Sequence, residues 1–145
     1  MIVVLIIAVL IAIAVPTFMG ARDTARDRAV EQNVRNALTA VRAAGSDIGG
    51  YKEMVHADLP INEPQLQWVT GDLLSVSPIS MSVAIDNANQ VVTIAALHET
   101  GDCFMIRDWA NLAPGVEFAK IESSSPLDCK GDIGVNGAVT WTNGW

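Results

Sequence analysis

The chain has 145 residues, a formal net charge of −7, and 50% apolar residues against 17% charged ones. That length allows one modest domain. The acidic balance argues against a DNA-binding protein, which needs basic side chains to neutralise phosphates. With only two cysteines, the composition also excludes a disulfide-dense miniprotein, and its apolar content excludes a disordered chain.

Seventeen of the first nineteen residues are apolar, and the remainder of the chain is about 44% apolar, close to an ordinary soluble domain. No charge occurs from Met1 to Ala21, and the first ionised side chain is Arg22. Twenty-one helical residues span roughly 31 Å, about one bilayer core. The core helix of a soluble protein would carry a polar face, and residues 1–15 carry none. A cleaved signal peptide is the rival reading, but a basic flank is missing and Pro16 to Gly20 make a poor cleavage site. Pro16 has no N–H for the carbonyl of Ala12. That leaves two readings, a simple kink or a weak point where the helix bends or unwinds.

After Gly20 the helical pattern continues and changes character. Val30, Val34, Ala37, Leu38 and Val41 fall at i, i+4, i+7, i+8 and i+11, one face of an amphipathic helix that packs on a domain. Arg22, Asp23, Arg26, Asp27, Arg28, Glu31, Arg35 and Arg42 fill the other sides, and Gly45 with Gly49 and Gly50 ends the helix. The expected organisation is a helix over 1–44, with 1–21 for membrane or bundle and 22–44 for packing, then a globular body over 45–145. Residues 1–44 carry a net +2 and residues 45–145 a net −9. The arginine side is therefore either a solvated face or a surface that meets acids on neighbouring copies. Arg22, Arg26 and Arg28 alone would put the body in the cytoplasm by the positive-inside rule, whereas the cysteines point outside.

The body reads as short strands. Residues 45–65 are loop with a short helical turn near 51–55, ended by Pro60 and Pro64. Strands are expected at 66–69, around Met81, Val83 and Ile85, at 91–97 after the turn Asp86-Asn87-Ala88-Asn89, and at 103–109. Short turns predict an antiparallel meander covering the apolar face of residues 30–41. Further strands are expected at 116–121 and 138–142. Cys103 and Cys129 read as a disulfide closing a 27-residue segment, contributing roughly 3.5 kcal/mol as an upper estimate from loop entropy. Two buried free thiols are the alternative. Of the four tryptophans, Trp141 and Trp145 are placed to dock the tail on the sheet.

Catalytic patterns are missing. His56 and His98 each lack a second ligand at metal spacing, and His98-Glu99 does not extend to a zinc-protease motif. Gly45-Ser46-Asp47-Ile48-Gly49 is not a nucleophile elbow. Asp86–Asn89 has Ala88 where a calcium loop needs a ligand and reads as a hairpin turn. Asp128 with Asp132 is a minor calcium candidate, and 123–126 a minor glycan candidate. The expectation is a protein that is not an enzyme and takes no metal or other cofactor.

Leu10-Ile11-Ala12-Ile13-Ala14-Val15-Pro16-Thr17-Phe18, followed by the long amphipathic helix, resembles the N-terminal helix of type IV pilins. Glu63-Pro64-Gln65-Leu66-Gln67-Trp68-Val69 and Gly101-Asp102-Cys103-Phe104-Met105-Ile106-Arg107-Asp108 resemble segments of pilins from Gram-positive and related bacteria. The helix match covers about a third of the chain, and the head match rests on element order and the cysteine pair. The resemblance implies an α+β fold with a long helix packed on a small antiparallel sheet and a disulfide-stapled, loop-rich tail. It implies a homopolymer, a helical filament whose core is built by Ile2, Val3, Leu5, Ile6, Val9, Leu10, Ile13 and Pro16. Before assembly the subunit would sit in the cytoplasmic membrane with its head outside and meet a pilus assembly machinery. Afterwards it would lie in a cell-surface fibre serving adhesion, motility or DNA uptake. Minor pilins and type II secretion pseudopilins share the fold and remain an alternative, as does a single-span protein displaying a binding domain. The family's methylated Phe and its Glu would fall six and two residues before Met1, so the resemblance implies a leader and first mature residues ahead of this sequence. In family filaments the stretch before the proline, here about 8–15, loses helix.

Overall fold

A computed structural model describes residues 1–59, 63–110, 115–122, 129–135 and 139–145. The fold is α+β. Helix α1 (Ile2–Asp47) is followed by a 3-10 turn (His56–Asp58), strands β1 (Gln67–Thr70), β2 (Ser80–Asp86), β3 (Val91–Leu97), β4 (Cys103–Trp109) and β5 (Val116–Ile121), and the short helix α2 (Gly131–Val135). The five strands form one sheet in chain order.

Helix α1 is continuous, Pro16 included. It ends three residues later than the sequence suggests, because Gly45 stays inside the helix, where its bare Cα faces the Tyr51 ring. Chain reversal falls instead to Gly49 and Gly50, both with positive φ, a conformation that costs glycine little. The short turn expected at 51–55 lies further on, as the 3-10 turn at 56–58.

Strands β2 to β5 are antiparallel neighbours, but β1 pairs with β2 in parallel, Gln67 opposite Ser80 and Thr70 opposite Val83. Residues 71–79 make that return without a helix. Ser75 pins them: its hydroxyl donates to Ser80 O at 2.6 Å and accepts from Leu97 N at 2.8 Å. Ser82 Oγ donates to Leu73 O at 2.6 Å. Asp86 closes the β2–β3 turn by accepting the N–H groups of Ala88 and Asn89 at 3.0 Å and the Asn89 amide at 2.7 Å. The Asn89 bonds lead in holding its carboxyl below the usual range.

Both sheet faces are covered. Val83, Val92, Ile94, Phe104 and Ile106 meet Val30, Val34, Ala37, Leu38 and Val41 of α1 in the main core. On the other face Ala95, Cys103, Met105, Ala119 and Cys129 form a second cluster, bordered by Trp141. Alternation in β2 would leave Ser82 and Ala84 in solvent, yet both are buried. Helix α2 lies there, with Gly131 N donating to Ser82 Oγ at 2.9 Å and Asp132 N to Gly71 O at 3.1 Å.

The tail then crosses the β5 edge. Phe118 and Thr142 exchange two backbone hydrogen bonds of 2.8 Å. Beyond them Trp145 stacks edge-on against Phe104 and Phe118 at 5.2 and 5.3 Å on the helix side. The strand expected at 138–142 is thus reduced to one bridge at Thr142, and its first residue lies outside the described residues, as do Asp128 and 123–126.

A Cβ at Gly131 would come within 2.6 Å of Ala84 N and 2.9 Å of Ser82 O, backbone atoms that cannot swing aside. Gly131→Ala is expected to lower stability by about 1–3 kcal/mol through overpacking. Gly144→Ala, with nothing within 4 Å, should be neutral. Denaturant unfolding of the detergent-solubilised chain compares the two.

Candidate assembly surface

Among the described residues, the first half of α1 touches nothing else in the chain. All residues from Met1 to Ala25 are exposed, and they include fourteen large apolar side chains, Met1 to Met19. The expected filament-core residues Ile2, Val3, Leu5, Ile6, Val9, Leu10, Ile13 and Pro16 all lie on this bare stalk, along one side of it, and Val4, Ile7, Ile11, Val15 and Phe18 make the other side equally apolar. Its one polar side chain before Arg22 is spent internally, since Thr17 Oγ1 donates to Ile13 O at 3.0 Å and Ala14 O at 2.9 Å. At about 1.5 kcal/mol or more for each large apolar side chain left in water, the stalk would cost over ~20 kcal/mol. That exceeds the ~5–15 kcal/mol net stability of a typical domain. The stalk therefore requires an apolar environment, and it is long and apolar enough to cross a membrane.

The second half is fastened to the head on two levels. At the lower level Arg26 pairs with Glu99 at 3.3 Å, and Asp27 lies 3.5 Å from His98 Nε2 and 3.6 Å from Lys120 Nζ. Lys120 also meets Asp102 at 3.0 Å. Burial pulls the Lys120 pKa down, but the Asp102 and Asp27 carboxylates outweigh it, and the net direction is up. His98 is buried, and its Nδ1 accepts the Thr100 N–H at 3.1 Å. That bond leaves the ring proton of the neutral form on Nε2, which is buried 3.5 Å from Asp27 and makes no hydrogen bond among the described residues.

At the upper level Arg42 forms a two-pronged bond with Asp108, Nε to Oδ2 at 2.9 Å and Nη2 to Oδ1 at 2.7 Å, a geometry suited to the planar guanidinium. The Tyr51 hydroxyl donates to the same carboxylate. Burial, reinforced by Asp108, pushes the Tyr51 pKa well up. The Asp108 hydrogen bond raises that of Arg42. Between the two levels Asn33 Nδ2 donates to Pro78 O at 3.0 Å, and the Arg35 guanidinium lies 4.6 Å from the Phe118 ring centre.

The arginine side of α1 is thus not wholly solvated. Arg26, Arg35 and Arg42 are engaged by the chain's own head, while Arg22 and Arg28 stay exposed. Residue spacing did not reveal the Arg42–Asp108–Tyr51 group. Strand alternation carries the missed signal: Asp108 follows Phe104 and Ile106 on the helix-facing side of β4, where a carboxylate needs a cation.

Cys103 and Cys129 are joined, with Cα atoms 5.3 Å apart. Beside them Arg107 pairs with Glu117 at 2.6 Å, donates to Gly134 O at 3.2 Å, and lies 4.3 Å from the Trp141 ring. Among the described residues no three His, Cys, Asp or Glu side chains group as metal ligands. Comparison with protein-family models, with curated proteins and with solved structures returns no match.

Tyr51 sets a pH dependence. A folded-state pKa raised above the ordinary 10.0 gives stability that is complete below pH 10 and lost as pH climbs above it. Thermal midpoints of the solubilised chain should fall from about pH 9 to about pH 12. Tyr51→Phe should flatten that fall, leaving the share due to Lys120, whose raised pKa has the same sign.

Proposed function

We propose that this chain is the structural subunit of a type IV pilus-like filament, polymerising through the stalk of α1. The observation that carries the reading is a stalk apolar on every side and unburied, continuous with a helix fastened to a compact sheet head. The resemblance of residues 10–18 to pilin helices supports it. In a bilayer, lipid tails cover the stalk. In a filament, stalks of other copies replace lipid, and packing contacts rather than water exclusion decide the exchange. A head-to-tail contact that does not close on itself yields a fibre.

On this reading the subunit waits in the cytoplasmic membrane with its head outside and is drawn into the fibre by an assembly machinery. It performs no catalysis and binds no nucleic acid. The disulfide fits an oxidising compartment for the head. The single-span alternative is favoured by the same stalk, whose length also suits lipid alone. Electron microscopy of sheared surface material, comparing the source strain with a gene deletion, separates the two. Fibres that vanish with the gene and contain this chain in bulk support the filament. A chain confined to the membrane fraction supports the tethered domain.

Val9→Lys places an unpaired charge in the stalk and should abolish fibres while the head still folds. Abundant fibres from that variant would show that the stalk is not the filament core. Cys103→Ser should loosen the tail, leave membrane insertion intact, and lower fibre yield and protease resistance in the same surface fraction.

A further inference from the structure

We propose that the groove between residues 76–78 and the β3–β4 turn receives the stalk of a second copy of this chain, through its Phe18 and Arg22. The inference rests on the filament reading and names the contact that would join one head to a neighbouring stalk. The groove has a volume of about 530 Å³, with Val76, Pro78 and Leu97 as apolar walls, buried His98 below and Glu99 on the rim. A smaller hollow of about 140 Å³ shares Pro78, His98 and Glu99 with it and extends to Ala29 and Val30 of the chain's own helix. Val76 is 71% exposed, and Leu73 and Ile79 of the same connecting segment are exposed as well. The Asn33–Pro78 and Arg26–Glu99 contacts put the groove where α1 leaves the head.

The occupant must offer an apolar side chain with a cation one helical turn away. Phe18 and Arg22 are four residues apart and so share a face. Both are exposed, and Arg22 enters none of the ion pairs among the described residues. Phe18 between Val76 and Leu97 carries Arg22 to the Glu99 rim. Glu99 is held by Arg26, but 58% of its side chain remains exposed, so it keeps acceptor capacity for a second guanidinium.

The chain's own Phe18 cannot reach the groove, because it lies eight residues before Arg26, where the helix first meets Glu99, roughly 12 Å down the helix and beyond the length of its side chain. The contact therefore joins copies, and because groove and stalk are different patches it is heterologous, the kind of contact that can propagate along a fibre. An anionic lipid surface fits less well, since the groove rim itself presents Glu99.

The test uses two full-length variants, Phe18→Cys and Val76→Cys, expressed together with the native disulfide in place. Sheared fibres are oxidised and run on non-reducing gels. A bridge needs Cα atoms within about 7 Å. The expected result is a reducible dimer from mixed fibres that is lost from fibres of either variant alone. Mixed fibres containing both variants but no such dimer would overturn this contact and leave the filament reading standing. Dimers from Val76→Cys alone would overturn it in favour of head-to-head packing. If the unaltered chain forms no fibres, both readings fall. Should Phe18→Cys halt assembly, Arg22→Cys with Glu99→Cys reads the same contact one turn along, with the same outcomes.

Discussion

The seam between residues 30–44 of α1 and the sheet governs the rest of the molecule. It buries Val30, Val34, Ala37 and Val41 to 1% exposure or less and fixes where the helix stops being part of a globule. Every residue before that point then has to find another medium. The head can be an ordinary acidic domain because its apolar face is satisfied from within. The stalk can be uniformly apolar because none of its side chains packs on its own head. Two solvation regimes thus share one uninterrupted backbone, and the lower ion-pair group around Asp27, His98 and Lys120 marks the boundary between them.

The back face of the sheet solves a different problem. Among the described residues after β5, the regular structure is the short helix α2 and the bridge at Thr142. The Cys103–Cys129 bond, the Arg107–Glu117 pair and the indole of Trp141 hold the tail where strand alternation alone would leave small polar residues in water. Its passage over the β5 edge, through Thr142, also occupies backbone groups of Phe118 that would otherwise invite another strand.

Much of this was legible in the sequence because it is written in local period. The 3.6-residue repeat of Val30, Val34, Ala37, Leu38 and Val41 specifies the packing face, and β-branched runs flanking Asp86–Asn89 specify the central hairpin. What local period does not encode is direction and distance. Nothing within 66–69 says that β1 runs parallel to β2, since that depends on how Ser75 and Ser82 fold the intervening loop. Helix α2 carries two glycines in five residues, against helix propensity, and exists because only a Cβ-free backbone fits against Ala84. Arg42 and Asp108 stand 66 residues apart, so their pairing follows from the docking of α1 rather than from spacing. Of the candidate assembly surface, the stalk was readable as composition, whereas the proposed groove beside Val76 and Leu97 is created only when two loops meet.

The direction of α1 relative to β4 has a mechanical consequence. Arg26 meets Glu99 just before β4, and Arg42 meets Asp108 near its end. Helix and strand therefore ascend together over roughly 24 Å of helix rise. A pull applied to the stalk loads the whole seam in shear, with both ion-pair levels and the buried valines strained at once. A helix docked across the strands would be peeled away one contact at a time. In this geometry force is shared among contacts, and the head resists being stripped from its own stalk.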